Sequence, residues 1–311
     1  MTTRILLTIL QILMAPVIAP LCVGIIRKGK AFMQNRKGAS IFQPYRDIAK
    51  LMHKDEVIAH EASWIFRAAP YIVFVATLSA AAAVPIISGV GTLWPLGDIV
   101  MVVYLLALAT FFLALAGLDV GTAFGGTGAS REMTMAALAE GGMMTVVLSV
   151  VTVAHSANIT DITSIISQAN FFTIAPLFLA FAAFIIVLLC ENARYPFDNP
   201  ATHLELTMIH EAMILEYSGK RLALMEWAAS IKLFLFIALA INLFFPWGIA
   251  TTLTFSALLV GIAVFAIKAL VMLFVITFVE SWMPKLRFFR LPDLLFTAIV
   301  MAAISILITV L

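Results

Sequence analysis

Charge is scarce in this sequence: Asp, Glu, Lys and Arg make up 12% of its 311 residues, against 63% hydrophobic. A mean hydropathy of +1.09 excludes an ordinary soluble domain, in which roughly 25% of residues are charged. Cysteine is scarcer still. Cys22 and Cys190 both stand inside apolar runs, with no second Cys at metal-ligand spacing, which argues against a disulfide framework or a Cys-bound cluster. The net charge is only +2 and no basic segment alternates with aromatics, so nucleic acid is not an expected partner. Internal repeats and low-complexity segments are also missing.

Eight apolar runs fill that space, near residues 5–26, 68–90, 97–118, 132–154, 172–192, 228–247, 253–279 and 293–311. Each is long enough to cross a hydrocarbon core of ~30 Å as a helix. The expected fold is therefore an all-α polytopic membrane protein forming a single membrane domain over residues 1–311. The first run is expected to be a membrane helix and not a signal peptide. It spans ~22 residues, contains Pro16 and Pro20, and is followed by Arg27, Lys28 and Lys30, so it should remain as a membrane helix.

Alternate connections hold almost all the cations. Residues 27–67 and 193–227, together with Arg131, Lys285, Arg287 and Arg290, carry them, whereas the connections near 91–96, 155–171 and 248–252 carry none. Cationic loops stay in the cytoplasm, so both termini are expected on the non-cytoplasmic side. In the first long loop, Tyr45, Ile48, Ala49 and Met52 recur at helical spacing after Pro44, with Arg46, Lys50 and Lys54 on another face. That pattern predicts an amphipathic surface helix, lying on anionic headgroups or also touching a partner subunit.

The densest ionisable stretch runs from Glu191 through Arg194 and Asp198 to Glu205, His210, Glu211 and Glu216. Leu204, Leu206, Met208, Ile209 and Met213 are interleaved with these charges, so water suits the segment poorly. On a helical reading His203, Thr207, His210 and Glu211 share one face, and Glu205 and Glu216 lie on the other. Carboxylates packed there between membrane helices and an external protein would be candidates for proton handling. As metal ligands, His203, Glu205, His210 and Glu211 lack third and fourth partners at a recognised spacing.

Glu140, Lys232 and Lys268 stand away from the span ends. Glu140 stands about nine residues into the fourth, ~13 Å below Arg131 at 1.5 Å rise per residue, beside Gly141 and Gly142. A charge there costs at least ~2.5 kcal/mol, so Glu140 reads as either a neutral, hydrogen-bonded acid or a proton relay. Lys268 lies mid-span in the seventh, as ion pair or relay, while Lys232 in the first turns of the sixth is expected to snorkel outward. Asp98, Asp161 and Glu280 read as interface residues, and Asp119 as part of a glycine-rich turn running through Gly121, Gly125, Gly126 and Gly128.

Five segments in order carry a resemblance: Gln43–Leu51 (QPYRDIAKL), Gly117-Leu-Asp119, Gly128-Ala-Ser-Arg-Glu132, Pro196-Phe-Asp198 and Glu216-Tyr-Ser-Gly219. Together they resemble the membrane anchor subunit of group 4 membrane-bound nickel-iron hydrogenases, such as formate hydrogenlyase, homologous to the complex I subunit beneath the quinone site. The resemblance implies a non-catalytic anchor that docks hydrogenase-like large and small peripheral subunits, which would hold the iron-sulfur clusters and the nickel-iron centre. It also implies antiporter-like membrane neighbours and a prokaryotic cytoplasmic membrane. Proton or sodium translocation would involve Glu140, Asp198, Glu205, Glu211, Glu216, Lys268, Arg131 and Glu132. Docking would involve Arg46, Lys50, Arg194, Lys220 and Arg221. Ala39, Ala201 and His203 depart from the family pattern, and the interval from Glu205 to Glu216 is about three residues longer, which speaks against a conventional quinone cavity. The alternatives are a complex I type quinone tunnel, a stand-alone secondary transporter and a purely mechanical anchor.

Overall fold

A computed structural model describes residues 2–86, 97–198, 208–250, 254–284 and 286–311, with side chains of 2–8 and 255 left aside. The described residues form α-helices α1 (Thr2–Met33), α2 (Gln43–Met52), α3 (Trp64–Ala83), α4 (Ile99–Asp119), α5 (Ala123–Ala154), α6 (Ile159–Gln168), α7 (Phe171–Glu191), α8 (His210–Ile214), α9 (Gly219–Phe244), α10 (Phe255–Trp282) and α11 (Leu291–Val310). A 3-10 turn, Phe288–Arg290, leads into α11. Eight of these, α1, α3, α4, α5, α7, α9, α10 and α11, are long and apolar enough to cross a membrane, as the periodicity predicts.

Helix α9 occupies the centre because it is apolar on all sides, and such a helix has no face to offer water. Every residue from Leu233 to Phe244 is buried. Helices α1 and α3 pack on one side of α9 and α7 on another, while α5 joins α4, α7 and α11. Backbone groups that prolines release in α1 are recovered by neighbours. Pro20 has no N–H to bond the carbonyl of Pro16, and the indole of Trp227 donates to that carbonyl at 2.8 Å. The Tyr45 hydroxyl of α2 donates to the carbonyl of Val17, which pins the amphipathic helix to α1.

Side-chain caps set the starts of several helices. Ser63, Asp98, Thr122 and Asn158 each accept a backbone N–H from the first turn that follows, a contact worth about 1 kcal/mol. Asp98 and Asn158 also face each other across an isolated antiparallel bridge, tying the starts of α4 and α6 together at the weakly charged end.

Several boundaries differ from the sequence reading. Helix α5 starts at Ala123, so the glycine-rich segment is helical and only Gly121, with φ +69°, makes a turn. Its glycines serve close approach instead: a Cβ on Gly125 would lie 2.3 Å from the carbonyl oxygen of Gly117 in α4, and one on Gly128 2.9 Å from Ala212 Cβ in α8. Helix α9 starts at Gly219, nine residues before the apolar run; in these added turns Lys220 is exposed, Arg221 is held by Glu56 and Glu226 lines a polar cavity. The connection expected as a loop near 155–171 contains the short amphipathic helix α6.

Candidate functional site

At the charged end, a cavity of about 200 Å³ opens between α1, α2, the segment joining α7 to α8, α9 and α10. One of its buried anions is Glu280 of α10, whose side chain is only 1% exposed and lies 2.8 Å from Lys30 of α1 and 3.2 Å from Arg194. Lys30 also lies 5.2 Å from the centre of the Tyr195 ring. Glu280 is thus a doubly paired buried carboxylate, not the hydrated interface residue expected, because the chain after α7 folds back over the end of α10. On the opposite wall Arg27 is 3.7 Å from Asp47 of α2, and Gln43 donates to the same Asp47 carboxylate at 2.7 Å.

Asp198 forms the floor of this cavity and is 1% exposed. Its Oδ2 accepts the backbone N–H groups of Ile209 and His210, both at 3.1 Å. One carboxylate thereby holds the start of α8 against the end of the α7 connection. Burial pushes the Glu211 carboxyl above its ordinary range; repulsion from Glu226 and Asp198 adds to this and Arg27 opposes it. Burial also drives the His210 imidazole down to about 4, with Asp198 pulling it up and Lys232 pushing it further down. His210 is therefore neutral near pH 7.

A second cavity, of about 70 Å³, lies deeper, between α3, α4, α5, α7 and α9. Here Lys232 of α9 pairs with Glu191 of α7 at 2.8 Å and donates to the hydroxyl of Thr110 at 3.2 Å. Glu132 of α5 lines the same cavity. The two cavities share Asn192, His210 and Ala229, and a void of about 10 Å³ touches Glu132, Glu191 and Asp198 together. Glu140 stands two turns along α5 from Glu132, ~12 Å at helical rise, half-buried. The charges acting on it are Glu191 and Lys232.

Of the residues singled out from sequence, Asp198, Glu211 and Glu132 come together around these cavities, and Glu140 lies within electrostatic range of the inner pair. Arg131 is half-buried, its guanidinium 5.8 Å from the centre of the Phe288 ring. Glu216 is exposed. Glu205, His203 and Thr207 lie outside the described residues, as does Lys285. Lys268 belongs elsewhere. Its ammonium donates to the carbonyl of Phe245 at 2.6 Å and to that of Trp247, so it caps the carbonyl end of α9, where a cation is favoured.

Among the candidate docking residues, Arg46, Lys50 and Lys220 are exposed. Arg194 points into the outer cavity toward Glu280, and Arg221 is held by Glu56 at 2.6 Å and by the carbonyl of Arg67. Lys232 does not snorkel outward: it faces the bundle interior. Sequence reasoning missed the pairing of Glu191 with Lys232, the pairing of Glu280, and the presence of Asp47 and Glu226 in the cavity wall. The available signal was the mixed-polarity stretch Gly219–Trp227, which, read as the first turns of α9, would have put Lys232 well inside a helix. Among the described residues, no three His, Cys, Asp or Glu side chains converge as metal ligands would.

Known proteins resemble this chain over most of its length. It is 34% identical, over 90% of its own length and 90% of the relative's, to formate hydrogenlyase subunit 4 of Escherichia coli (strain K12). It is 29% identical, over 85% of its length and 80% of the relative's, to an NADH-quinone oxidoreductase subunit of Anaplasma marginale (strain St. Maries). In three dimensions it is similar to a chain of the membrane-bound sulfane sulfur reductase, described as an archaeal respiratory membrane complex, with a TM-score of 0.85, 22% identity and 99% of both chains covered. That likeness concerns the fold alone. The family model described as NADH dehydrogenase matches residues 5–311, and with eight membrane helices and this coverage the chain belongs to the NADH dehydrogenase family.

Proposed function

We propose that this chain is the membrane anchor and ion-coupling subunit of a multisubunit hydrogenase-like oxidoreductase in a prokaryotic cytoplasmic membrane. It seats a peripheral electron-transfer arm on its charged, cytoplasmic end and links redox change there to proton movement. The observation that carries this reading is the pair of adjoining cavities, which lead from the charged end through Asp198 and His210 to the paired Glu191 and Lys232. Buried ionisable groups in a membrane are costly and mark ion pathways. The greater identity to a formate hydrogenlyase subunit than to a quinone oxidoreductase subunit favours the hydrogenase branch.

Redox change in the arm would act on this end electrostatically: an added electron nearby raises the proton affinity of Glu211, and its departure lowers it. The exposed Arg46, Lys50 and Lys220 supply cations for an acidic face of the arm. Antiporter-like subunits would take the proton further. The outer cavity is lined by Arg27, Lys30, Asp47, Arg194 and Glu280, charged groups that an apolar quinone would desolvate at a cost, which weighs against a quinone there.

The test is purification of the native complex through a tag on this chain, followed by metal analysis and electron paramagnetic resonance. Peripheral subunits holding iron-sulfur clusters should copurify, and vesicles containing the complex should move protons during electron transfer. A chain that purifies alone and takes up ions by itself would replace this reading with that of a secondary transporter.

A further inference from the structure

Asp198 meets Glu132 and Glu191 only at a void of about 10 Å³, barely room for one water; the residues that line both larger cavities, and so form the neck between them, are His210, Asn192 and Ala229. We infer that His210 is the residue that hands protons across this neck, with Asn192 holding the bridging water in line. The inference deepens the coupling role above and rests on it.

The geometry at the neck is specific. His210 lines both cavities, and its backbone is fixed because Asp198 takes its N–H at 3.1 Å, so the residue stays at the boundary while its ring remains able to turn about Cβ–Cγ. Asn192 donates through Nδ2 to the carbonyl of Leu188 at 2.8 Å, while its buried Oδ1 finds no hydrogen-bond partner among the described residues. A buried carbonyl oxygen left over in a polar neck is a place for water or an imidazole N–H. Of the three neck residues, only His210 can both take and give a proton.

A neutral imidazole carries one N–H and one bare nitrogen. It can accept on the bare nitrogen a proton that protonated Glu211 passes on through water in the outer cavity, and release the other proton through water to the carboxylate of Glu132, leaving Glu211 ionised and Glu132 protonated. The ring ends neutral but in the other tautomer, and turning about its Cβ–Cγ bond restores the first before the next proton arrives. The groups facing it are Asp198 and Glu211 from its own segment, Glu132 from α5, Glu191 from α7 and Lys232 from α9. Lys232 and burial keep the ring neutral at rest, which is the form a two-way relay needs.

The experiment uses the native complex in vesicles, with reduced methyl viologen as electron donor and a pH-sensitive dye reporting protons moved per electron. His210→Asn should lower that ratio at least tenfold. His210→Ala should do the same, and added imidazole should restore it, whereas 1-methylimidazole, which lacks the second transferable proton, should not. A wild-type ratio in His210→Asn, or equal rescue by both imidazoles, overturns the relay. Glu191→Gln separates the two levels: if it fails to move protons while His210→Asn moves them normally, only the role of His210 falls. If Glu191→Gln also moves protons normally, the coupling role falls with it. Should the variants not assemble, diethyl pyrocarbonate modification of His210 in the assembled wild-type complex, verified by mass spectrometry, gives the answer. An unchanged ratio after modification overturns the inference.

Discussion

Lys232 and Glu191 form the most consequential pair at the residue scale, because each neutralises the other inside the bundle, with side chains 13% and 10% exposed. Removing one partner leaves an uncompensated buried charge, at about 3–5 kcal/mol, whereas removing both is far cheaper. Lys232→Met should therefore lower the thermal midpoint of the detergent-solubilised protein sharply, and Lys232→Met combined with Glu191→Gln should recover most of the loss. His210 gives a pH signature. The unfolded chain takes up a proton near its ordinary value of ~6.5, while the folded chain refuses it until about 4. Stability should fall as pH drops from about 6.5 toward 4 and level off below. His210→Gln should flatten that slope in thermal melts. Glu211, whose pKa burial raises, works with the opposite sign, so comparison with the variant isolates the histidine.

The element scale is governed by the contact of α5 with α4 and α8. Gly125 and Gly128 let α5 approach the Gly117 carbonyl and Ala212, whereas a Cβ on Gly126 meets nothing within 4 Å. Gly126→Ala should raise the thermal midpoint, since Ala gains up to about 1 kcal/mol over Gly in a helix. Gly125→Ala should lower it despite the same propensity gain, because backbone, not a flexible side chain, stands in the way. Melts of the two variants side by side check this. The glycine cluster was visible in the sequence, but its meaning was not: turn and close approach use the same residue, and only the position of α8 tells them apart. Likewise α9 begins nine residues earlier than its apolar run because the charges on its first turns have places to go: Lys220 to solvent, Arg221 to Glu56 and Glu226 to the cavity.

For the whole molecule, the separation of charge between the two ends predicts a sidedness. With Cys22 and Cys190 replaced by Ser, a cysteine introduced at exposed Gln168 should react with a membrane-impermeant maleimide in intact cells. One introduced at exposed Lys37 should react only after permeabilisation. The outer faces of α10 and α11 expose Val271, Phe274, Val300 and Leu307, which suits lipid or neighbouring membrane helices. Lys268 at that depth is held by the carbonyls of Phe245 and Trp247 at the end of α9.

Composition and run length by themselves determined the eight spans, the loading of cations at one end and the amphipathic α2, since a hydrocarbon core admits few other uses for such runs. They also singled out the segment from Glu191 to Glu216 as the place where chemistry gathers. Tertiary structure alone decided which charges meet: Glu191 with Lys232, Lys30 and Arg194 with Glu280, and His210 with both cavities. Those partners are far apart along the chain or depend on how a helix is rotated about its axis, and rotation is set by packing on neighbours that no local pattern describes.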